Sequence, residues 1–340
     1  MEALLIDEWM PDLDPIEVVD DASVSLARQR AREVATAQGL NATDVERLAT
    51  IASELGTNQV RHAVRGLMAV RAITRGGCRG VEVAAADRGA GIADPAKALL
   101  GVPRDKGSLG VGLAAAREHA FEVDFDVRIG EGTLVRARLF EADPPRRRQI
   151  GVLGRPIKGE RSSGDHAGFV HLDDGFAVAV CDGLGHGSPA RAASSLAIHA
   201  FYKDPLVAPT EVLAAAHREL AGTRGAVMAV ARVREVHGSI ETATVGNVIV
   251  QLVAPRSARR FGGSSFVLGS HGTRTGQPAD AATLEPDETL VLFTDGIASR
   301  ATIEDDLALL REHPIVIAQR MIERYGTESD DTLVLVARAT

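Results

Sequence analysis

The chain has 340 residues, 45% hydrophobic and 25% charged, with a formal net charge of -8. That length accommodates two domains with a core each, and an acidic balance without a basic stripe excludes a nucleic-acid role. No run reaches the roughly 18 uninterrupted apolar residues of a membrane span, and the acidic start MEALLIDEWMPDLDP lacks the basic flank of a signal peptide, so no membrane contact and a cytoplasmic location are expected.

Residues 1–20, rich in Asp and Pro, have room for one short strand. Ser23 then opens a helical pattern with Val24, Ala27, Ala31 and Val34 on one face. A second helix is expected from Thr43, where Thr43-Asp44-Val45-Glu46 reads as a capping box, with Val45, Leu48, Ala49, Ala52 and Leu55 as its buried stripe. Within it Glu54, Asn58 and His62 recur every four residues and share a face, so they either meet a partner or form a solvated face beside Gln59 and Arg61. The strand Gly80–Ala86 runs into Asp87-Arg88-Gly89-Ala90-Gly91, where the glycines admit a planar ligand and the acid can accept from an exocyclic amine. Gly107-Ser108-Leu109-Gly110-Val111-Gly112 precedes a helix over Ala114–Ala120, and free N–H groups there form a phosphate cradle. A hairpin follows: Phe121, Val123, Phe125, Val127 and Ile129 alternate with polar residues, Gly130-Glu131-Gly132 turns, and Thr133–Phe140 continues with period two.

This order of motifs, E-x-x-x-N-x-x-x-H, D-x-G-x-G-I, a glycine loop before a helix and a hairpin with Gly-Thr, resembles the GHKL ATP-binding family over roughly residues 12–140. The short gap between Gly91 and Gly107 leaves no room for a long lid, and the likeness extends to the anti-sigma serine kinases and RsbT-type stressosome switch kinases, which phosphorylate STAS-domain proteins. The resemblance implies a Bergerat-type α/β sandwich that binds ATP with Mg2+. It makes Glu54 the general base, Asn58 the Mg2+ ligand, and Asp87 the acceptor of the adenine amine. Gly89 and Gly91 would lie against the base, Gly110 and Gly112 against the phosphates, and Thr133 near adenine. Ser108 departs from the family by adding a Cβ where the loop has its first glycine.

Residues 141–149, EADPPRRRQ, have no apolar period and two prolines, and read as a linker solvated by Arg146-Arg147-Arg148. The expected domains are thus 1–140 and 150–340. Strands are expected over 168–181, 225–233, 240–253, 288–294 and 331–337, and helices over 188–203, 210–221 and 313–325, an α+β pattern with antiparallel sheets. Cys78 and Cys181 have neither disulfide-framework nor metal-site spacing and read as small core residues.

Four acids stand at strand mouths: Asp165 in Ser-Gly-Asp-His, Asp182 in Cys-Asp-Gly-Leu-Gly-His-Gly, Asp295 in Phe-Thr-Asp-Gly, and Asp330 in Asp-Asp-Thr-Leu. Brought together they need cations to neutralise them, and oxygen ligands point to Mg2+ or Mn2+ rather than zinc. Two such ions activate water for in-line attack on phosphorus without a protein nucleophile. His166 and His186 are expected to hydrogen-bond the cluster or the substrate.

The four motifs resemble the SpoIIE branch of the PPM-type Ser/Thr phosphatases, and IGVLGRPIKGERSSGD with GTRGAVMAVARV is similar to the RsbX-type feedback phosphatases of stressosomes, over about residues 150–338. That resemblance implies an αββα sandwich. Asp182 would bridge both metals, the Gly183 carbonyl would be a further ligand, and Asp165, Asp295 and Asp330 would complete the shells, with Gly246-Asn247 a structural turn. Together the halves imply a regulator of serine/threonine phosphorylation acting on a STAS-domain phosphoprotein, within a stressosome or sigma-regulator complex. The alternative is a partner-switch protein whose ATP-binding half gates without phosphotransfer.

Overall fold

The computed structural model describes residues 9–10, 14–101, 111–270 and 279–339. The chain divides into two compact units between Gln149 and Ile150.

In the first unit, β1 (Ile16–Val18) leads to helices α1 (Asp21–Ala37) and α2 (Ala42–His62), followed by β2 (Ala63–Arg75) and β3 (Cys78–Gly89). Then come α3 (Pro95–Leu99), α4 (Val111–His119), β4 (Glu122–Arg128) and β5 (Gly132–Phe140). The sheet runs β1-β2-β3-β5-β4, and every pairing within it is antiparallel.

Both long helices start before the residues expected. Asp20 caps α1, exchanging hydrogen bonds with Ser23, and Asn41 caps α2 by accepting from the Asp44 N–H. An acceptor side chain in extended backbone just ahead of the first turn satisfies an orphan N–H, so the cap moves to it. Leu48, Ala49, Ala52 and Leu55 are buried as expected, while Val34 and Val45 are only half-buried. Gln59 is buried rather than solvated, and its amide donates to Leu67 O and Ala86 O, tying α2 to β2 and β3.

The polar residues that alternate along the hairpin are internal: all of β4 is buried, and Arg138 pairs with Glu82, Glu122 and Asp124. Contrary to expectation, Arg148 does not solvate a linker, for it and Gln149 are buried at the start of β6 (Arg148–Arg155), where Gln149 Oε1 accepts from Val123 N. Cys78 is half-buried beside the β2–β3 turn, whereas Cys181 is fully buried.

The second unit contains β7 (Asp165–Leu172), β8 (Gly175–Gly183), α5 (Gly187–Lys203), α6 (Pro209–Glu219), β9 (Ala226–Arg234), β10 (Ser239–Val245) and β11 (Ile249–Ala254). After these come β12 (Ser257–Arg260), β13 (Asp280–Thr283), β14 (Thr289–Phe293), α7 (Pro314–Tyr325) and β15 (Thr332–Ala339). One sheet has the order β6-β15-β14-β11-β12 and the other β13-β10-β9-β8-β7. Helices α5 and α6 cover the second sheet and α7 packs on β15, which gives the αββα layering expected of the sequence.

Apolar residues of β8, β9 and β10 form a core with α5 and α6 around Phe201, Leu213 and Leu220. The segment expected as one strand over 168–181 is the hairpin β7–β8, and that over 240–253 is β10 and β11, broken at Gly246 and Asn247. Among the described residues no helix is long and apolar enough to cross a membrane.

Candidate functional site

Strand pairing in the second unit places the acids. Asp165 and Asp182 are direct partners at the first residue of β7 and the end of β8; Asp295 follows β14, and Asp330 precedes β15, the strand paired with β14 in the other sheet. Asp182, Asp295 and Asp330 line one cavity of about 660 Å³ together with His186, Asn247 and Phe266. Asp165 lies behind Asp182, only 1% exposed, and accepts from Thr294 Oγ1 at 2.7 Å. Asp295 accepts from Asn247 Nδ2 at 2.7 Å.

The paired acids Asp330 and Asp331 divide their work. Asp331 is buried, and its two oxygens accept from the N–H groups of Ile157 and Gly164, each at 2.7 Å. Those bonds use it to pin the 157–164 strap, whereas Asp330 faces the cavity. Gly183 pairs with Ala226 at the end of β8, and a Cβ there would collide with the backbone of Ala190 in the first turn of α5. Only glycine lets the helix start this close to the acid.

The electrostatics of the cluster are those of a site short of positive charge. Burial, then the negative charge of Asp182, drives the Asp165 carboxyl well above the usual carboxylate range, and the Thr294 hydroxyl opposes this. Burial, followed by the charges of Asp295, Asp330 and Asp331, pushes Asp182 up to about 7. Asp295 is raised by burial and by Asp330, against the hydrogen bond from Asn247. Carboxylates that oppose one another in this way fit a divalent cation. Among the described residues no three His, Cys, Asp or Glu side chains form a cation cage by themselves. An ion here would therefore draw on carbonyl and water oxygens as well, the habit of Mg2+.

Sequence reasoning missed Thr294 and Asn247. Both are polar residues at strand ends, but the acids they bond lie far along the chain, and Asn247 read as part of a turn. Of the two histidines, His166 is buried with Nδ1 accepting from Ala167 N at 2.9 Å, and His186 Nδ1 lies 2.9 Å from Glu160 Oε1 rather than on the cluster.

In the first unit, Glu54 and Asn58 lie one turn apart on α2, both half-buried, while His62 is exposed at the end of the helix. Gly112, in the first turn of α4, lies so close to Asn58 that a Cβ would collide with its amide. Asp87 is the cross-strand partner of Thr133, and burial pushes its carboxyl up to about 7 against a hydrogen bond from the Thr133 backbone. Gly89 ends β3 beside the Asp87 carboxylate, and Gly91 lies in the following turn against the backbone of Arg128. Gly110 lies outside the described residues. The polar row on α2, the acid ending β3 and the start of α4 are thus brought to one end of the unit's sheet.

Comparison with known proteins follows the same division. Residues 18–139 match the histidine kinase-like ATPase domain family, and residues 172–340 match the stage II sporulation protein E (SpoIIE) family. The serine/threonine-protein kinase RsbT of Bacillus subtilis (strain 168) is 30% identical over 128 residues, which are 38% of this chain and 96% of RsbT. A solved structure from work on the bacterial stressosome, as a modular system adapted to control secondary messenger signalling, is 29% identical with a TM-score of 0.52, covering 56% of this chain and all (100%) of its own. RsbX in complex with magnesium shares the fold, with a TM-score of 0.51 and 19% identity over 58% of this chain and 98% of RsbX.

The molecule is therefore of two parts, a kinase-type ATPase domain joined to a SpoIIE-type domain. By its first unit the chain belongs to the RsbT family of histidine kinase-like ATPases, and its second is a SpoIIE-type domain.

Proposed function

We propose that the second unit removes phosphate from serine or threonine of a STAS-domain regulator, and that the first unit binds Mg-ATP and phosphorylates a related protein. The observation that carries the phosphatase assignment is the cavity where Asp182, Asp295 and Asp330 converge in front of the buried Asp165. Two Mn2+ or Mg2+ ions held there would lower the pKa of a water and offset the charge on the phosphoryl oxygens. Asp182, the Gly183 carbonyl, Asp295 and Asp330 would hold the ions, with Asp165 behind them contributing directly or through water. Thr294 and Asn247 fix the rotamers of Asp165 and Asp295 through their hydrogen bonds, so the carboxylates are oriented before any ligand arrives.

In the first unit Glu54 would take the proton of the substrate hydroxyl and Asn58 would bind Mg2+ at the phosphates. Asp87, beside Thr133, would accept the adenine amine. Gly89 and Gly91 would admit the base, and Gly112, with Gly110, would lie at the phosphates. The contact of Gly112 with Asn58 supports this, because it joins the helix start to the proposed Mg2+ ligand.

The test is phosphate transfer to and release from a STAS-domain protein, using wild type, Asp182→Asn and Glu54→Ala. Release is expected to need Mn2+ or Mg2+ and to vanish in D182N with ATP binding intact; full activity in D182N would overturn the metal assignment. Radiolabel transfer is expected to vanish in E54A, and nucleotide-dependent binding without any transfer in wild type would leave the first unit a gate rather than a kinase.

A further inference from the structure

The loop Gly222-Thr223-Arg224-Gly225, just ahead of β9, has no part in the roles above, yet it adjoins the acid-lined cavity. Leu184 N donates to Gly225 O at 3.1 Å, which ties the loop to the exit of β8. Gly225 N donates to Thr223 Oγ1 at 3.0 Å, and that hydroxyl donates to Leu220 O at 2.7 Å. The backbone on both sides of Arg224 is thereby fixed. Its side chain lies against Gly185, which lines the cavity: at φ +90° Gly185 is in glycine's own territory, and a Cβ there would sit 2.9 Å from Arg224 Nη1. Arg224 is exposed, and among the described residues its guanidinium has neither a hydrogen bond nor a carboxylate partner.

The lining of the cavity is of two kinds, the acids Asp182, Asp295 and Asp330, and the apolar side chains of Leu184, Val227, Phe266 and Val267. A phosphoryl group goes to cations held by the acids, so the protein chain that carries it is left the apolar lining. Arg224 adjoins that lining, since a Cβ on the next residue, Gly225, would meet Val267 Cγ1 at 2.7 Å and Leu184 Cδ1 at 3.8 Å. A cation fixed beside an otherwise acidic and apolar surface discriminates between neighbours: it attracts a carboxylate, which its planar fork fits, and repels a lysine or an arginine. Resting on the phosphatase reading, we propose that Arg224 determines substrate choice by pairing with an aspartate or glutamate close to the phosphoserine or phosphothreonine of the protein substrate. Arg224 touches the flanking residue and not the phosphoryl group, so hydrolysis itself does not depend on it.

The experiment compares three substrates on the full chain with Mn2+: a phosphoseryl peptide with glutamates on both sides of the phosphoserine, its counterpart with lysines in those places, and 4-nitrophenyl phosphate, which has no flanking residues. Wild type is expected to favour the glutamate peptide by about tenfold in kcat/KM, attraction to one and repulsion of the other acting together. Arg224→Gln should abolish the preference and Arg224→Glu should reverse it, both within a few-fold of wild type on 4-nitrophenyl phosphate. That third rate also shows that the variants are folded.

A wild type without preference between the peptides would overturn the proposal, as would a preference for glutamate that survives in R224E. Equal losses on all three substrates would overturn it too, by placing Arg224 on the phosphoryl group or in the frame of the site. Each of these leaves the phosphatase reading standing. A wild-type chain that hydrolyses none of the three would refute that reading, and the proposal with it.

Discussion

The adjacent acids Asp330 and Asp331 offer a sharp separation of function from folding. Asp331, only 3% exposed, accepts from two backbone N–H groups, those of Ile157 and Gly164, and Asp331→Ala removes that acceptor. Each buried donor left without a partner costs about 1–3 kcal/mol. Because Lys158 to Arg161 of the strap are exposed, water recovers part of that, and a net loss of about 2–4 kcal/mol is expected. At about 2–4 °C per kcal/mol for a unit of this size, the melting temperature should fall by roughly 4–16 °C.

Asp330→Asn acts in the opposite sense. Asp330 raises the carboxyls of Asp182 and Asp295 through its charge, so neutralising it should leave the metal-free protein at least as stable as wild type while Mn2+-dependent phosphate release is lost. Scanning calorimetry without metal, beside release of phosphate from a phosphoseryl peptide, distinguishes the two. If D330N melted several degrees low and D331A kept its melting temperature, the division of labour between these two acids would be refuted.

Asp87 predicts a pH dependence in the first unit. Its folded-state value of about 7 lies above the ordinary 3.8, so the folded protein binds the extra proton, and metal-free, nucleotide-free stability should decline as pH rises from about 4 to 7, by a few kcal/mol at most. Because an amine donates to the ionised carboxylate, ATP affinity should rise across pH 7 in wild type, and a flat profile would count against Asp87 as the adenine acceptor. Gly112→Ala should displace the Asn58 amide and weaken ATP binding about tenfold, or about 1.4 kcal/mol by fluorescence titration, without loss of thermal stability, since alanine favours the helix. Arg138→Met should cost about 3–5 kcal/mol at neutral pH by leaving buried carboxylates short of a partner. Glu82 is held at about 2 against an ordinary 4.5, chiefly by Arg138 opposing its burial, so its contribution is present above about 4.5 and the deficit should narrow in urea melts run below that pH.

What the sequence disclosed about the site is local. A short apolar run ending in an acid and a glycine, as at Val178–Gly183, encodes a buried strand with a ligand at its mouth. The roles of Thr294, Asn247 and Asp331 were not legible in this way, because each depends on a partner far along the chain: Asp165, Asp295, and the N–H groups of Ile157 and Gly164. No element was expected over Ala63–Arg75, where Gly66 and a register shift between Ala63 and Arg65 blur the alternation that marks a strand. Gly66 there leaves the space that Gln59 fills, which is also why a glutamine on a helix that reads as polar is buried.

The hairpin shows the same limit in its sharpest form. A period of two tells that Glu122, Asp124 and Arg138 share a face, and by default that face is wet. The register decides otherwise. Arg71 stands opposite Glu82, Glu82 opposite Arg138, and Arg138 opposite Glu122, so one row of alternating charge crosses β2, β3, β5 and β4. Opposite charges directly across from one another stabilise a sheet, and a row that closes its own hydrogen bonds can be buried where isolated charges cannot. Every residue of that row was visible in the sequence. The order of the strands was not, and only that order turns an apparently solvent-facing stripe into an internal one.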